Sequence, residues 1–212
     1  MKKKLIMLLA VAMLAISLAS CGGGADKTDG TTTATDGKKT EVTTTDKKEE
    51  KKPAFEGEIG DILDSIVAKA GEIEGNTEYG IKSISCYHND VDTDSCETIL
   101  GLSEEKFKEY VDAAIESKPD GSWFTHSVVV VRLKGGVNVE EAAKTIVANT
   151  EATRFGCLRP QKIVGMYTGN YVIFTTSDEE ICENVYKAVE ALSGDSVVRI
   201  DRDKNWSDSG LG

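Results

Sequence analysis

The chain has 212 residues, with 36 acidic against 25 basic side chains and a formal net charge of −11. That length allows one domain with a real core plus a tail, and 40% hydrophobic residues suffice to fill it. The acidic balance excludes a general basic face for nucleic acid or anionic lipid, so no nucleic-acid partner is expected.

Residues 1–20 have the layout of a secretory leader. Lys2, Lys3 and Lys4 give a positive start, and residues 5–18 form an apolar run whose only polar member is Ser17. A run of 14 residues suits a leader and is short for a permanent membrane span. It closes on Leu18-Ala19-Ser20-Cys21, followed by Gly22-Gly23-Gly24. This resembles the lipobox of bacterial lipoproteins, in which the cysteine is acylated and becomes the mature N-terminus. The resemblance implies lipidation at Cys21 by palmitate-type chains and a place on the cell membrane, facing outside the cytoplasm. One acyl chain anchors marginally and two anchor stably; lipoproteins of this type carry at least two.

Residues 21–52 comprise that cysteine and a linker. Residues 22–52 hold nine Thr, five Gly, seven Lys and seven acids, and Val42 is the one sizeable apolar side chain. Such a segment buries too little apolar surface to offset its ordering entropy, so it is expected to be a disordered spacer. The remaining 160 residues, 53–212, form the expected single domain. With the leader and linker set aside, 15 basic residues face 29 acidic ones there, a net of −14.

Within the domain, Ile59, Ile62, Leu63, Ile66, Val67, Ala70 and Ile73 recur at helical spacing, predicting a helix over 58–74 that ends at Gly75-Asn76. Residues 81–87 read as a weaker strand. Ser103 then caps a second helix, with Phe107, Tyr110, Val111, Ala114 and Ile115 as its buried stripe and Pro119-Asp120-Gly121 as its stop. Residues 127–134 contain Val128-Val129-Val130-Val131, the pattern of a buried strand. Asn138 with Glu141 opens a helix to about residue 150. Residues 162–167 and 171–176 read as a hairpin around Thr168-Gly169-Asn170. Ser177 with Glu180 opens a helix that runs to about Leu192, carries Ile181, Val185, Ala188, Val189 and Leu192 inward, and closes at Gly194. A short strand at 197–200 follows.

The order over 127–200 is β-α-β-β-α-β. It predicts an α+β fold: a four-stranded antiparallel sheet with helices on one face, a split βαβ or ferredoxin-like arrangement, preceded by two helices. The apolar pattern of residues 127–134, the following helix, Arg154-Phe155 and Gly169-Asn170-Tyr171-Val172 resemble a domain of unknown function found in lipoproteins of clostridia and their relatives. The resemblance spans roughly residues 97–192 and implies the envelope address without any chemistry.

Four cysteines follow Cys21. Cys86 and Cys96 are the most natural local pair for a disulfide in an oxidising compartment, but a domain with a core of this size needs no such bridge and the sequence leaves the pairing open; Cys182, on the apolar side of its helix, is expected as a buried thiol. Asp90, Asp92 and Asp94 alternate as in the opening of a calcium loop. Position six is Ser95 rather than Gly and position twelve is Gly101 rather than Glu, which leaves at most weak calcium binding and no other cofactor. Ser103-Glu104-Glu105-Lys106 matches one motif of penicillin-binding enzymes without its companions, and Ser103 has a sufficient role as a cap. His88 and His126 lie in no metal-binding spacing and are expected at exposed polar positions. No catalytic constellation emerges.

Residues 152–177 contain no acid at all and carry Arg154, Arg159 and Lys162, with Phe155 nearby. Arginine beside aromatics on a loop is typical of interface anchors, and pairing with the domain's own carboxylates is the competing role. The sequence therefore predicts a membrane-tethered, non-catalytic module that binds another envelope protein or a cell-wall polymer. A weak calcium-dependent binding or sensing role through residues 90–94 is the alternative.

Overall fold

A computed structural model describes residues 55–75, 80–120, 124–194 and 196–202. The leader, Cys21, the linker and the tail from residue 203 lie outside the described residues. The elements in chain order are α1 (Ile59–Glu74), a 3₁₀ turn (Ile81–Ser83), β1 (Cys86–Asp90), α2 (Cys96–Leu100), α3 (Glu104–Tyr110), β2 (Val111–Pro119), β3 (Ser127–Leu133), α4 (Val139–Asn149), β4 (Lys162–Thr168), β5 (Tyr171–Ser177), α5 (Glu179–Ser193) and β6 (Val198–Asp201). Among the described residues no helix is long and apolar enough to cross a membrane.

The fold is α+β, built on one antiparallel sheet, as the sequence predicts. The sheet has six strands rather than four, in the order β1-β2-β3-β5-β4-β6. The extra strands come from two corrected segments. The first half of 81–87 is a 3₁₀ turn, and the strand starts at Cys86. The helix that Ser103 caps stops at Tyr110, and the rest of its expected stripe is β2. Ser103 does cap α3, accepting from the Lys106 N–H at 3.4 Å. Beyond Tyr110, Ala114, Ile115, Glu116 and Ser117 are buried in succession. That is the pattern of a strand covered on both faces and not of a one-sided helix. β2 pairs with β1 on one edge and β3 on the other, and two ladders outweigh a local helix preference.

The same correction relocates the last strand. A ferredoxin-like sheet seats it beside the first strand of the β-α-β-β-α-β unit, here β3. That edge is occupied by β2, so β6 pairs with β4 at the opposite end. The connections β3-α4-β4 and β5-α5-β6 then both step toward the β6 edge, from strands that run in opposite directions. Right-handed crossovers put such helices on opposite faces. The core agrees. Val128, Val130, Val164, Met166 and Ile173 pack against α1 and α5. Val129, Val131, Leu133, Ile163, Val172 and Phe174 pack with α2 and α4. Helices therefore cover both faces, and the expectation of helices on one face is overturned. Val128 to Val131 are all fully buried for this reason.

Two glycines allow close packing on the α4 side. A Cβ at Gly165 in β4 would sit 2.1 Å from Val147 Cγ2 in α4. Gly101, at φ +62°, ends α2 where a Cβ would meet Asn149 backbone carbon at 2.4 Å. The cap of α4 is as expected, with Asn138 Oδ1 accepting from the Glu141 N–H at 3.3 Å. The cap of α5 is not: Ser177 is the last residue of β5, and Asp178 is the N-cap. Leu192, expected inward, is exposed.

Candidate binding cleft

On the α2/α4 face, the ends of β1 and β2 meet the segment that follows α4. Tyr87 lies opposite Lys118 across the β1–β2 ladder, so both side chains stand on one face. The Lys118 ammonium is 5.9 Å from the centre of the Tyr87 ring. Glu116, two residues before Lys118 on the same face, is completely buried. Its Oε1 accepts from Ser127 Oγ at 2.6 Å and from Arg154 Nη1. Arg154 Nη2 donates to Ser127 Oγ at 2.9 Å, closing a triangle. The Arg154 side chain is only 6% exposed, and its guanidinium carbon is 4.6 Å from the centre of the Phe155 ring. Lys118 Nζ is 3.8 Å from the other carboxylate oxygen, Oε2, which has no hydrogen bond among the described residues.

Above this buried floor is a cleft of about 500 Å³. One side carries Asp94, Ser95, Thr98 and Ile99 from the start of α2, and the other Phe124, Arg154 and Phe155. Tyr87 and Phe124 are 41% and 46% exposed, high values for aromatic side chains. A pocket of this size, with aromatic sides, one partly open ammonium and a rigid floor, suits binding. Glu116 and Arg154 neutralise each other, so Lys118 supplies a positive charge and Asp94 a negative one at the opening.

The three cations singled out in the sequence do not meet. Arg154 is held in this floor by the domain's own Glu116, the competing role considered for it. Arg159 is exposed, and its Nη1 donates to the backbone oxygens of Gly156 and Leu158 at 2.7 and 2.9 Å. Lys162, at the start of β4, joins an ion network with Glu183 at 3.0 Å, Glu179 at 3.4 Å and Asp201 at 3.6 Å. Arg199 completes it, donating to Glu183 Oε2 at 2.8 Å and Asp201 Oδ2 at 2.9 Å. The Arg199 hydrogen bonds hold the Glu183 carboxyl down at about 2.

Asp92 shapes the turn into α2. Its Oδ1 accepts from the N–H groups of Asp94 and Ser95, both at 3.1 Å, and from Ser95 Oγ at 2.8 Å. These bonds lower its pKa, the Ser95 hydroxyl contributing most. Asp90 ends β1. Among the described residues no three His, Cys, Asp or Glu side chains converge on a point where a metal would sit.

No family model, curated protein or solved structure matches the chain. The site must therefore be judged on its own chemistry.

The four cysteines of the domain are free thiols. Cys86 packs on the α1/α5 side of the sheet and Cys96 on the α2/α4 side, so this local pair, which the sequence left open, is not bridged. Cys182 is buried as expected, and desolvation pushes its thiol up to about 12. His126 was expected to be exposed and is buried, 1% accessible. Sequence reasoning missed Tyr87, Lys118 and Phe124 as neighbours, because the β1–β2 pairing that joins the first two was hidden while 111–119 read as helix. No local signal marked Glu116 either: it follows Ala113-Ala114-Ile115 and precedes Ser117-Lys118, so it reads as the polar end of an apolar run, and only the fold buries it against Arg154.

Proposed function

We propose that the chain is an envelope lipoprotein, held to the cell membrane through acylated Cys21 and facing outside the cytoplasm. Its domain acts as a non-catalytic binding module for another envelope protein or a cell-wall polymer, engaged through the cleft between α2, the β1–β2 ends and Phe155. The leader and its Leu18-Ala19-Ser20-Cys21 ending support the address. One observation carries the binding role: exposed Tyr87 and Phe124 flank Lys118 above the buried Glu116–Ser127–Arg154 floor. Aromatic and cationic side chains held on a rigid base are the usual anchors of an interface. The test compares capture of detergent-solubilised envelope proteins and of purified cell-wall polymer by the full chain and by a Tyr87→Ala, Phe124→Ala variant, which leaves the Lys118–Glu116 contact in place. The variant should lose the captured component at an unchanged melting temperature. Equal capture by both proteins would remove the cleft from consideration. A Cys21→Ser variant should leave the membrane fraction after a high-salt wash, and its retention there would refute the lipid anchor.

A further inference from the structure

On the opposite, α1/α5 face, a second cavity of about 380 Å³ opens at the start of α5. It is formed by the segment entering β3, the loop before β4 and the first turn of α5, with Ile84, Leu158 and Ile181 as apolar sides. His126 lines it and is 1% exposed. Neither Nδ1 nor Nε2 has a hydrogen-bond partner among the described residues. A buried imidazole without either bond is rare in folded proteins, because each unmade bond forfeits what water had supplied. The cavity has room for far more than a single water, and its size is that of a small-molecule site.

Two opposite charges stand at its opening. Arg159 is fixed by the bonds from its Nη1 to the Gly156 and Leu158 oxygens, and its remaining N–H groups make no hydrogen bond among the described residues. Asp178 is the N-cap of the 15-residue α5, yet its carboxylate makes no cap hydrogen bond. The helix start also presents backbone donors, of which the Glu179 N–H makes only a long 3.5 Å contact with Gln161 Oε1. A bare anion such as phosphate would meet the Asp178 carboxylate, and a bare cation would meet Arg159. A ligand carrying both signs meets neither objection.

We propose that this cavity binds a small zwitterion of amino-acid to dipeptide size, its carboxylate on Arg159 and the start of α5, its ammonium on Asp178, and a polar atom on His126. The site shares Phe124 with the cleft on the other face but none of its charged groups, and it does not rest on the function proposed for that cleft.

The test is calorimetric titration of the detergent-solubilised full chain with free amino acids and with the dipeptide Ala-Ala. N-acetylalanine amide, which lacks both charges, and inorganic phosphate serve as controls. At least one zwitterion should bind with a Kd of about 1 mM or tighter, and neither control should bind. Arg159→Gln and Asp178→Asn, both at exposed positions, should each weaken binding about tenfold or more without moving the melting temperature. His126→Phe should abolish binding, and if that variant fails to fold, the two rim variants decide. Failure of every zwitterion to bind, equal binding of the capped control, binding of phosphate alone, or indifference to Arg159→Gln would each overturn the proposal.

Discussion

Replacing Arg154 with methionine keeps most of the side chain's reach and removes its charge. Glu116, with no exposed surface, is then left with one hydrogen bond from Ser127 and with Lys118 at 3.8 Å. Breaking a buried ion pair from one side costs about 3–5 kcal/mol, because the orphaned charge stays desolvated. Lys118 offsets part of that cost, which places the expected loss near the lower end, about 3 kcal/mol. For a domain of this size such a loss lowers the melting temperature by roughly 6–12 °C. Urea denaturation of Arg154→Met should show it as a lower midpoint at an unchanged slope. The double variant Glu116→Leu, Arg154→Met removes both charges and should recover most of the loss, since apolar replacements of a buried pair are commonly neutral. If Arg154→Met unfolds at the wild-type midpoint, the pair does not hold the floor of the cleft, and Arg154 returns to consideration as a free binding cation.

Burial drops the His126 pKa from 6.5 to about 4, so folding favours the neutral ring. The unfolded chain then binds the extra proton between those pH values, and the contribution of His126 is complete above pH 6.5 and lost as pH falls toward 4, about 3 kcal/mol in all. A stability titration should show that slope, and His126→Phe should flatten it; an unchanged slope refutes the assignment. Asp178 and Arg159 face the same cavity, and the lowered carboxyls of Glu183 and Asp201 act below their ordinary values of 4.5 and 3.8, so the slope between pH 6.5 and 4.5 is the part to read for His126. Gly165→Ala should destabilise the domain by about 1–3 kcal/mol through overpacking against Val147, and a simultaneous Val147→Ala should relieve it. In thiol labelling of the native protein, exposed Cys157 should react first and Cys182 only on unfolding; early labelling of Cys182 would contradict its burial.

Local chemistry determined a great deal of this molecule. The periodicity of Ile59 to Ile73, the run Val128 to Val131, the Asn138 cap and the Gly169-Asn170 turn each depend on neighbours within a few residues, and each predicts its element in place. The Leu18-Ala19-Ser20-Cys21 pattern, from which the lipid anchor is proposed, is equally local and lies outside the described residues. Residues 111–119 were not decided locally. Their apolar spacing fits a helical stripe or a two-faced strand, and only β1 on one side and β3 on the other select the strand. From that one pairing follow the displaced seat of β6, helices on both faces of the sheet and the separation of Cys86 from Cys96. The cleft follows as well. Tyr87 and Lys118 become neighbours across a ladder, and Arg154 meets Glu116 across 38 residues of chain. His126 precedes a strand that local signals place correctly, yet its burial depends on α5 and the loop before β4. Contacts between distant segments carry no periodicity of their own, so the tertiary structure alone brought both candidate sites together.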